Sequence, residues 1–289
     1  MVGNIEGYLP KTISGALQIL SSEDVIVYAG GTDLMVRYKN EMSLLPKFDK
    51  NILYIGQIEE LQKVSENKDE IIIGAGCTLS SLIREELVPE VLKKALRGAA
   101  SPAIRNMGTI GGNICNASPA GDTLPVLYAL NSRCRLISEG SERTINIEDF
   151  IYEPRRTALE KNEILESVLI PKKDFNIVHY EKVGARKASA ISKLSFTGLC
   201  NTADGKVEDI RMAFGAVGAT VIRLKEAEDL IKGKDINGLD ESIKKAVEIY
   251  ERNINPIDDQ RSTAQYRKKV VMNLIRYFLN TEVKRNNLQ

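Results

Sequence analysis

The sequence predicts an α+β chain: two α/β subdomains over the first 172 residues, then a smaller α+β region with a three-stranded antiparallel sheet and helices. Three observations carry this prediction. Helical and strand-like patterns alternate up to about residue 170. Beyond it, strand-like runs come first and helical runs follow. Between the two patterns lies a polar break, Pro171-Lys172-Lys173-Asp174. The expected division is 1–172, with subdomains of about 1–56 and 57–172, followed by a domain over 176–289.

Residues 11–21 place apolar side chains at helical spacing, and Val25-Ile26-Val27-Tyr28 reads as a short buried strand. A glycine turn follows, then a helical pattern from Leu34 to Lys39 and a strand at Ile52-Leu53-Tyr54-Ile55. Glu70-Ile71-Ile72-Ile73-Gly74 is a further strand, and Thr78 is placed to cap the helix starting at Leu79. Val88 to Ala100 carries Leu92, Ala95 and Leu96 on one helical face, and Pro125 stands in the first turn of another helix. Runs 133–137 and 165–170 read as strands. Past the break, strands are expected at 177–183, 194–202 and 207–215, with Asp204-Gly205 as a hairpin turn. Helices are expected near 223–232, 240–253 and 263–280.

Composition excludes several classes of function. Hydrophobic residues make up 43% and charged residues 27%, the profile of a globular protein. Forty basic residues against 39 acidic leave a formal charge of +1, and no basic run argues for nucleic acid. No apolar run approaches the roughly 20 residues of a membrane span. The first residues lack a basic stretch followed by an apolar one, so no signal peptide and a cytoplasmic protein are expected. Cys77, Cys115, Cys134 and Cys200 are far apart and His179 is the only histidine, so no metal site is expected.

Two segments carry paired glycines: Ala29-Gly30-Gly31-Thr32-Asp33 and Thr109-Ile110-Gly111-Gly112-Asn113. Glycine allows positive φ and close backbone approach, and successive N–H groups in such a turn can bind an anion. Neither segment fits the dinucleotide or P-loop glycine patterns. In isolation each is more readily a plain tight turn, and the sum is only a possible phosphate-binding protein. Gly215-Ala216-Val217-Gly218 is assigned to packing.

At full length the motifs say more. Tyr28-Ala29-Gly30-Gly31-Thr32-Asp33-Leu34, and Ile104-Arg105-Asn106-Met107-Gly108-Thr109-Ile110-Gly111-Gly112-Asn113-Ile114-Cys115-Asn116-Ala117-Ser118-Pro119-Ala120-Gly121-Asp122, resemble the FAD-binding medium subunit of molybdenum hydroxylases, such as xanthine, carbon monoxide and nicotinate dehydrogenases. The resemblance runs essentially end to end. It implies a two-subdomain FAD-binding domain of the PCMH type and a C-terminal domain of the carbon monoxide dehydrogenase flavoprotein type. Ala29 to Val36, including Met35, then match the segment that wraps the FAD pyrophosphate, and Thr109 to Ile114 match a second wrap. Asn116 and Asp122 fall near ribityl and ribose hydroxyls, and Ser101 in a stretch that approaches the cofactor. Leu165 matches a position whose backbone meets the flavin ring, with Leu169 on the same strand. Lys182 matches a lysine near the flavin, with Lys187 following, although a lone lysine is as often a solvated surface charge. Ile191 matches a residue shielding the ring and Ala190 one that is often acidic in the family.

The function implied is electron transfer. The resemblance implies a molybdopterin-binding large subunit that hydroxylates a purine or nicotinate-like N-heterocycle, and a small subunit with [2Fe-2S] clusters that passes electrons to the FAD of this chain. NAD(P)+ is the expected acceptor. No catalytic acid, base or nucleophile is expected here, because the flavin carries the chemistry. The rivals are a self-sufficient flavin oxidoreductase and a scaffold subunit that has lost FAD. Gly111→Val is expected to abolish FAD binding while leaving the fold largely intact.

Overall fold

The computed structural model describes residues 5–39, 47–186 and 189–285. The chain forms two compact units. One comprises the chain up to Val88, Ser101–Ala117 and Ser132–Pro171; the other comprises Pro89–Ala100, Ser118–Asn131 and the chain from Lys172 on. Packing therefore does not follow a linear cut at 172, because two excursions, 89–100 and 118–131, pack with the later chain. A pattern read along the sequence has no means of seeing this.

The first unit opens with β1 (Gly7–Tyr8), α1 (Ile13–Ser22), β2 (Val25–Tyr28), α2 (Leu34–Arg37) and β3 (Asn51–Tyr54). The strands form a parallel sheet in the order β1-β3-β2. Thr12 caps α1 by accepting from the Gly15 N–H, and Ala16, Leu17 and Leu20 bury against Leu53, Ile55 and Leu61. Next come β4 (Val64–Glu66), β5 (Glu70–Gly74) and α3 (Leu79–Arg84), the last capped by Thr78 as expected. After α4 (Glu90–Gly98), which belongs to the second unit, the chain makes α5 (Pro102–Met107) and α6 (Ile110–Asn116). After α7 (Leu124–Ala129), also of the second unit, come β6 (Arg133–Ser138), β7 (Ser141–Asn146), α8 (Ile147–Phe150), β8 (Ile151–Glu153), β9 (Arg156–Thr157) and β10 (Ile164–Pro171). Five of these strands form a sheet in the order β4-β5-β10-β6-β7, while β8 and β9 pair separately.

Strand β10 is last in sequence and central in space, and its unbroken apolar run Val168-Leu169-Ile170 is buried accordingly. The edge strand β7 was invisible to hydrophobic pattern. Its sequence, Ser-Glu-Arg-Thr-Ile-Asn, is polar and mostly exposed.

In the second unit, β11 (Ile177–Val183), β12 (Leu194–Ala203) and β13 (Lys206–Gly215) form the expected antiparallel meander. Asp204 and Gly205 both have positive φ, 49° and 74°, as a two-residue hairpin turn requires. The sheet has four strands, not three. β14 (Ile222–Arg223) pairs with β13, so the helix expected over 223–232 shortens to α9 (Lys225–Asp229). Two residues are too few to show an alternation, and the sequence around them is helical in pattern.

Helices α10 (Asp240–Asn253) and α11 (Ala264–Tyr277) supply apolar side chains to the core of this unit. The helix expected to reach 280 changes to π-helical winding over Phe278–Val283, which keeps Phe278, Leu279 and Val283 all buried. Phe196 stacks on Phe214 at 4.6 Å, with Phe278 edge-on to Phe196 at 5.6 Å. A Cβ on Gly198 would stand 2.8 Å from the Phe278 ring, so that ring occupies the place of the missing side chain.

His179 lies in the same aromatic group, beside Phe196, Tyr277 and Phe278. Its Nδ1 is 3.7 Å from Glu282, beyond hydrogen-bond range, and its Nε2 has no partner among the described residues. Burial holds its pKa below the ordinary 6.5, although Glu282 and Glu181 pull the other way. The folded chain then binds fewer protons than the unfolded one. The stability His179 contributes is present above the unfolded pKa and is lost as the pH falls below 6.5. Because His179 is the sole histidine, its ring proton resonances can be followed by NMR without assignment. The expected midpoint lies below 6.5; a midpoint above it would show that Glu282 outweighs burial.

Candidate functional site

The first glycine segment leaves β2 at Tyr28, whose carbonyl accepts from the Ile55 N–H at 2.9 Å. Gly31 has φ +69°, and a Cβ there would fall about 2 Å from the Tyr28 ring, so no other residue fits. A Cβ on Gly30 would stand 1.9 Å from the Met107 carbonyl oxygen. The turn is thus pressed against the backbone at the end of α5, and the two glycine-bearing segments form one construction.

The Met35 N–H donates to the Gly31 carbonyl and the Arg37 N–H to that of Asp33, which starts α2. The N–H groups of Gly31, Thr32, Asp33 and Leu34 make no hydrogen bond to another described residue. Successive free donors at a positive-φ glycine form a concavity suited to an anion. Ala29 and Thr32 are half-buried beside it, while Met35 and Val36 are exposed, Val36 by 71%.

The second segment differs from the loop expected. Ser101 caps α5, accepting from the Ile104 N–H at 3.4 Å, and Thr109 caps α6, accepting from the Gly112 N–H at 3.0 Å. The Ile110 N–H donates to the Cys77 carbonyl, Gly111 to Ala75, and Asn113 to Thr109. The amides of 110–113 are therefore already committed inside the protein. Gly111 lacks a side chain because Ala75 is in the way: a Cβ would meet the Ala75 Cβ at 2.5 Å and its carbonyl oxygen at 2.8 Å. Ala75 in turn donates to the Glu166 carbonyl on β10. This overturns the expectation for Gly111→Val, which would disturb packing before it touched any ligand. What α6 offers outward is the half-buried Asn113 and Asn116, while Ile114 is buried.

A residue that the sequence reading passed over joins the segments. Arg37 Nη2 donates to Asp33 at 3.0 Å and to the Asn116 side-chain oxygen at 3.1 Å. The Asp33–Arg37 spacing of four on a helical pattern was the available signal. Leu165 and Leu169 are buried on β10, at 4% and 2% exposure, so Leu165 has only backbone to present. A bulge lies between Leu165 and Ser167 in the pairing with β6.

In the second unit, Asp122 stands just before α7. Its Oδ2 accepts from Lys182 Nζ at 2.7 Å and its Oδ1 from Ser192 Oγ at 2.5 Å. Its carbonyl accepts from the Tyr180 hydroxyl at 3.3 Å. Lys182 also donates to the Gly98 carbonyl at the end of α4, at 2.8 Å. Its side chain is 11% exposed, so it is a paired buried cation and not a solvated charge. Burial pushes the Asp122 carboxyl up, and Lys182 and Ser192 draw it back down. Ile191 is 61% exposed and Ala190 half-buried. Lys187 lies outside the described residues. Among those described, no group of three or more metal-ligating side chains comes together, and no helix is long and apolar enough to cross a membrane.

Comparison with known proteins assigns this arrangement. Residues 3–173 match the model of the FAD-binding domain in molybdopterin dehydrogenase, and residues 179–281 match that of the carbon monoxide dehydrogenase flavoprotein C-terminal domain. The chain belongs to the FAD-binding family of molybdopterin dehydrogenases. It is 31% identical to the glyceraldehyde dehydrogenase medium chain of Sulfolobus acidocaldarius over 90% of this chain and 92% of that one. It is 28% identical to the nicotinate dehydrogenase FAD-subunit of Eubacterium barkeri over 94% of each. A chain of the carbon monoxide dehydrogenase from Hydrogenophaga pseudoflava superposes with a TM-score of 0.87 at 25% identity, covering 98% of both chains. The residues present fit the cofactor. A pyrophosphate needs converging donors where backbone can come close, and Gly31 to Leu34 supply them.

Gly30→Ala places a methyl group against the Met107 carbonyl, and overpacking of this kind destabilises by about 1–3 kcal/mol. The variant is expected to melt earlier and to carry less FAD. Arg37→Ala removes an exposed ion pair with Asp33 and an exposed hydrogen bond to Asn116, so its melting temperature should change little while FAD content falls. The flavin-to-protein absorbance ratio and a thermal melt check both; full FAD content in Arg37→Ala would show that Asp33 and Asn116 need no fixing.

Proposed function

We propose that this chain is the FAD-carrying electron-transfer subunit of a multi-subunit molybdenum hydroxylase. The observation that carries the reading is the row of N–H groups at Gly31–Leu34 with no partner among the described residues, locked by the fit of Gly30 against Met107. These donors would hold the FAD pyrophosphate, each such bond to a charged oxygen contributing roughly 1.5–3 kcal/mol. Arg37 fixes the side chains of Asp33 and Asn116, which flank those donors, and Asn116 would then meet a ribityl or ribose hydroxyl of the cofactor. Bound FAD supplies the exchange between one-electron donors and a two-electron acceptor. The chain's own residues bind and orient it, and none serves as acid, base or nucleophile.

The donors are the [2Fe-2S] clusters of a small partner subunit, and a molybdopterin-binding large subunit hydroxylates the substrate. Support comes from the medium-chain and FAD-subunit relatives. The substrate class is a purine or nicotinate-like N-heterocycle, supported by the nicotinate dehydrogenase relative. NAD(P)+ is the acceptor in this reading, which rests on the family resemblance alone. The four free cysteines support a reducing compartment, the cytoplasm.

The test is purification of the chain with its partners. A yellow complex that contains molybdenum and iron and bleaches with NADH or NADPH is expected. Colourless protein that FAD cannot reconstitute would remove the assignment, and a flavin reduced by substrate but indifferent to both nucleotides would remove the acceptor alone.

A further inference from the structure

Tyr28 is the last residue of β2, and its half-buried ring packs on Tyr54, its partner in β3, with the ring centres 5.0 Å apart. The side chain also reaches the glycine turn that follows. A Cβ built on Gly31 would fall on the Tyr28 hydroxyl oxygen and on the ring carbon that bears it, so the phenol tip rests against the Gly31 backbone. Glycine is therefore required at 31 twice, for a φ of +69° and for the room the phenol takes. A plain phenyl ring would fill that room as well, so packing explains the ring and not its oxygen. The hydroxyl makes no hydrogen bond to another described residue, and it stands beside the first of the four N–H groups at Gly31–Leu34 that also lack one. Burial, with Tyr54 adding to it, raises the phenol pKa above the ordinary 10.0, so the oxygen keeps its proton at neutral pH and stays a donor.

We propose that Tyr28 is a fifth donor of the anion site: its hydroxyl binds an oxygen of the FAD diphosphate together with the amides of Gly31–Leu34. That the anion belongs to FAD rests on the function proposed above. A diphosphate presents more acceptor positions than four amides fill, and a bond from a neutral donor to a charged oxygen is among the stronger ones a protein makes. All five donors stand on one short stretch, 28–34. The sheet fixes where that stretch begins, because the Tyr28 carbonyl is held by the Ile55 N–H at 2.9 Å. Tyr54 provides the control. It is the other half of the ring pair, and its ring packs on Gly7 of β1, where a Cβ would stand 3.0 Å from it.

The experiment compares Tyr28→Phe and Tyr54→Phe with the unchanged protein, each as the full chain stripped of FAD and titrated with it. Flavin fluorescence gives the Kd, phosphorus NMR of the saturated protein reads the diphosphate, and a thermal melt of the FAD-free chain reads the fold. Tyr28→Phe is expected to raise the Kd roughly tenfold to a hundredfold, as for loss of one hydrogen bond to a charged oxygen. It should also move a diphosphate resonance while leaving the melt and the flavin absorbance unchanged. Tyr54→Phe should alter neither the Kd nor the phosphorus signals. An equal Kd in Tyr28→Phe and the unchanged protein overturns the proposal and leaves the functional reading standing. A weaker Kd with unmoved phosphorus resonances overturns it as well, because the contact then lies elsewhere on the cofactor. Equal loosening in Tyr54→Phe, or an earlier melt of Tyr28→Phe, marks a mere brace of the strand pair and overturns it too. If the unchanged chain takes up no FAD at all, the functional reading fails and the proposal with it.

Discussion

Asp122 is a carboxylate taken almost wholly out of water, and the second unit is arranged around meeting its needs. Its charge is balanced by Lys182 at 2.7 Å, and its other oxygen is occupied by Ser192 at 2.5 Å. A buried pair of this kind adds little net stability, yet removing one partner costs about 3–5 kcal/mol because the other is left charged and alone. The pair therefore acts as a constraint. It joins three stretches distant in sequence: the end of α4 through Gly98, the approach to α7 through Asp122, and the β11–β12 connection through Lys182 and Ser192.

The far end of α7 is held by a matching device. Arg211 donates to the Ala129 carbonyl at 2.9 Å and Arg223 to that of Tyr128 at 2.8 Å, which satisfies carbonyls that a helix end leaves open. Glu228 holds Arg223 and accepts from the Met212 N–H, so these arginines are fixed to β13 before they reach the helix. A six-residue helix has little stability of its own. Pinned at both ends, α7 keeps Asp122 in place to receive Lys182 and Ser192.

Much of this was legible in the sequence, for reasons that differ by element. Strands such as Val25–Tyr28 and Glu70–Gly74 were readable because apolar runs bounded by turn residues have one comfortable conformation. The edge strand β7 and the two-residue β14 were not, since pairing with a neighbour and not their own side chains makes them strands. The general licence of glycine for positive φ is realised at Gly31, where φ is 69°, although the sequence did not say which of the paired glycines would need it. The reason for Gly111 was out of reach: it is the proximity of Ala75, a contact between residues 36 positions apart. Lys182 shows the same limit, because only the fold reveals that its partner is Asp122.

The two kinds of glycine divide the labour at the candidate site. Gly111 and Gly112 close α6 onto the sheet and spend their amides doing so, which fixes the platform. Gly30 and Gly31 do the opposite, holding a turn against that platform while leaving a row of amides without a partner among the described residues. A site of free donors is unfavourable unless something else enforces its shape, because unpaired amides invite the chain to rearrange around them. The fit of Gly30 on the Met107 carbonyl supplies that enforcement: the turn cannot move inward and Gly31 cannot relax without striking Tyr28. The donors are thus organised in advance, and a pyrophosphate bound there as proposed would not spend its binding energy on building its own site.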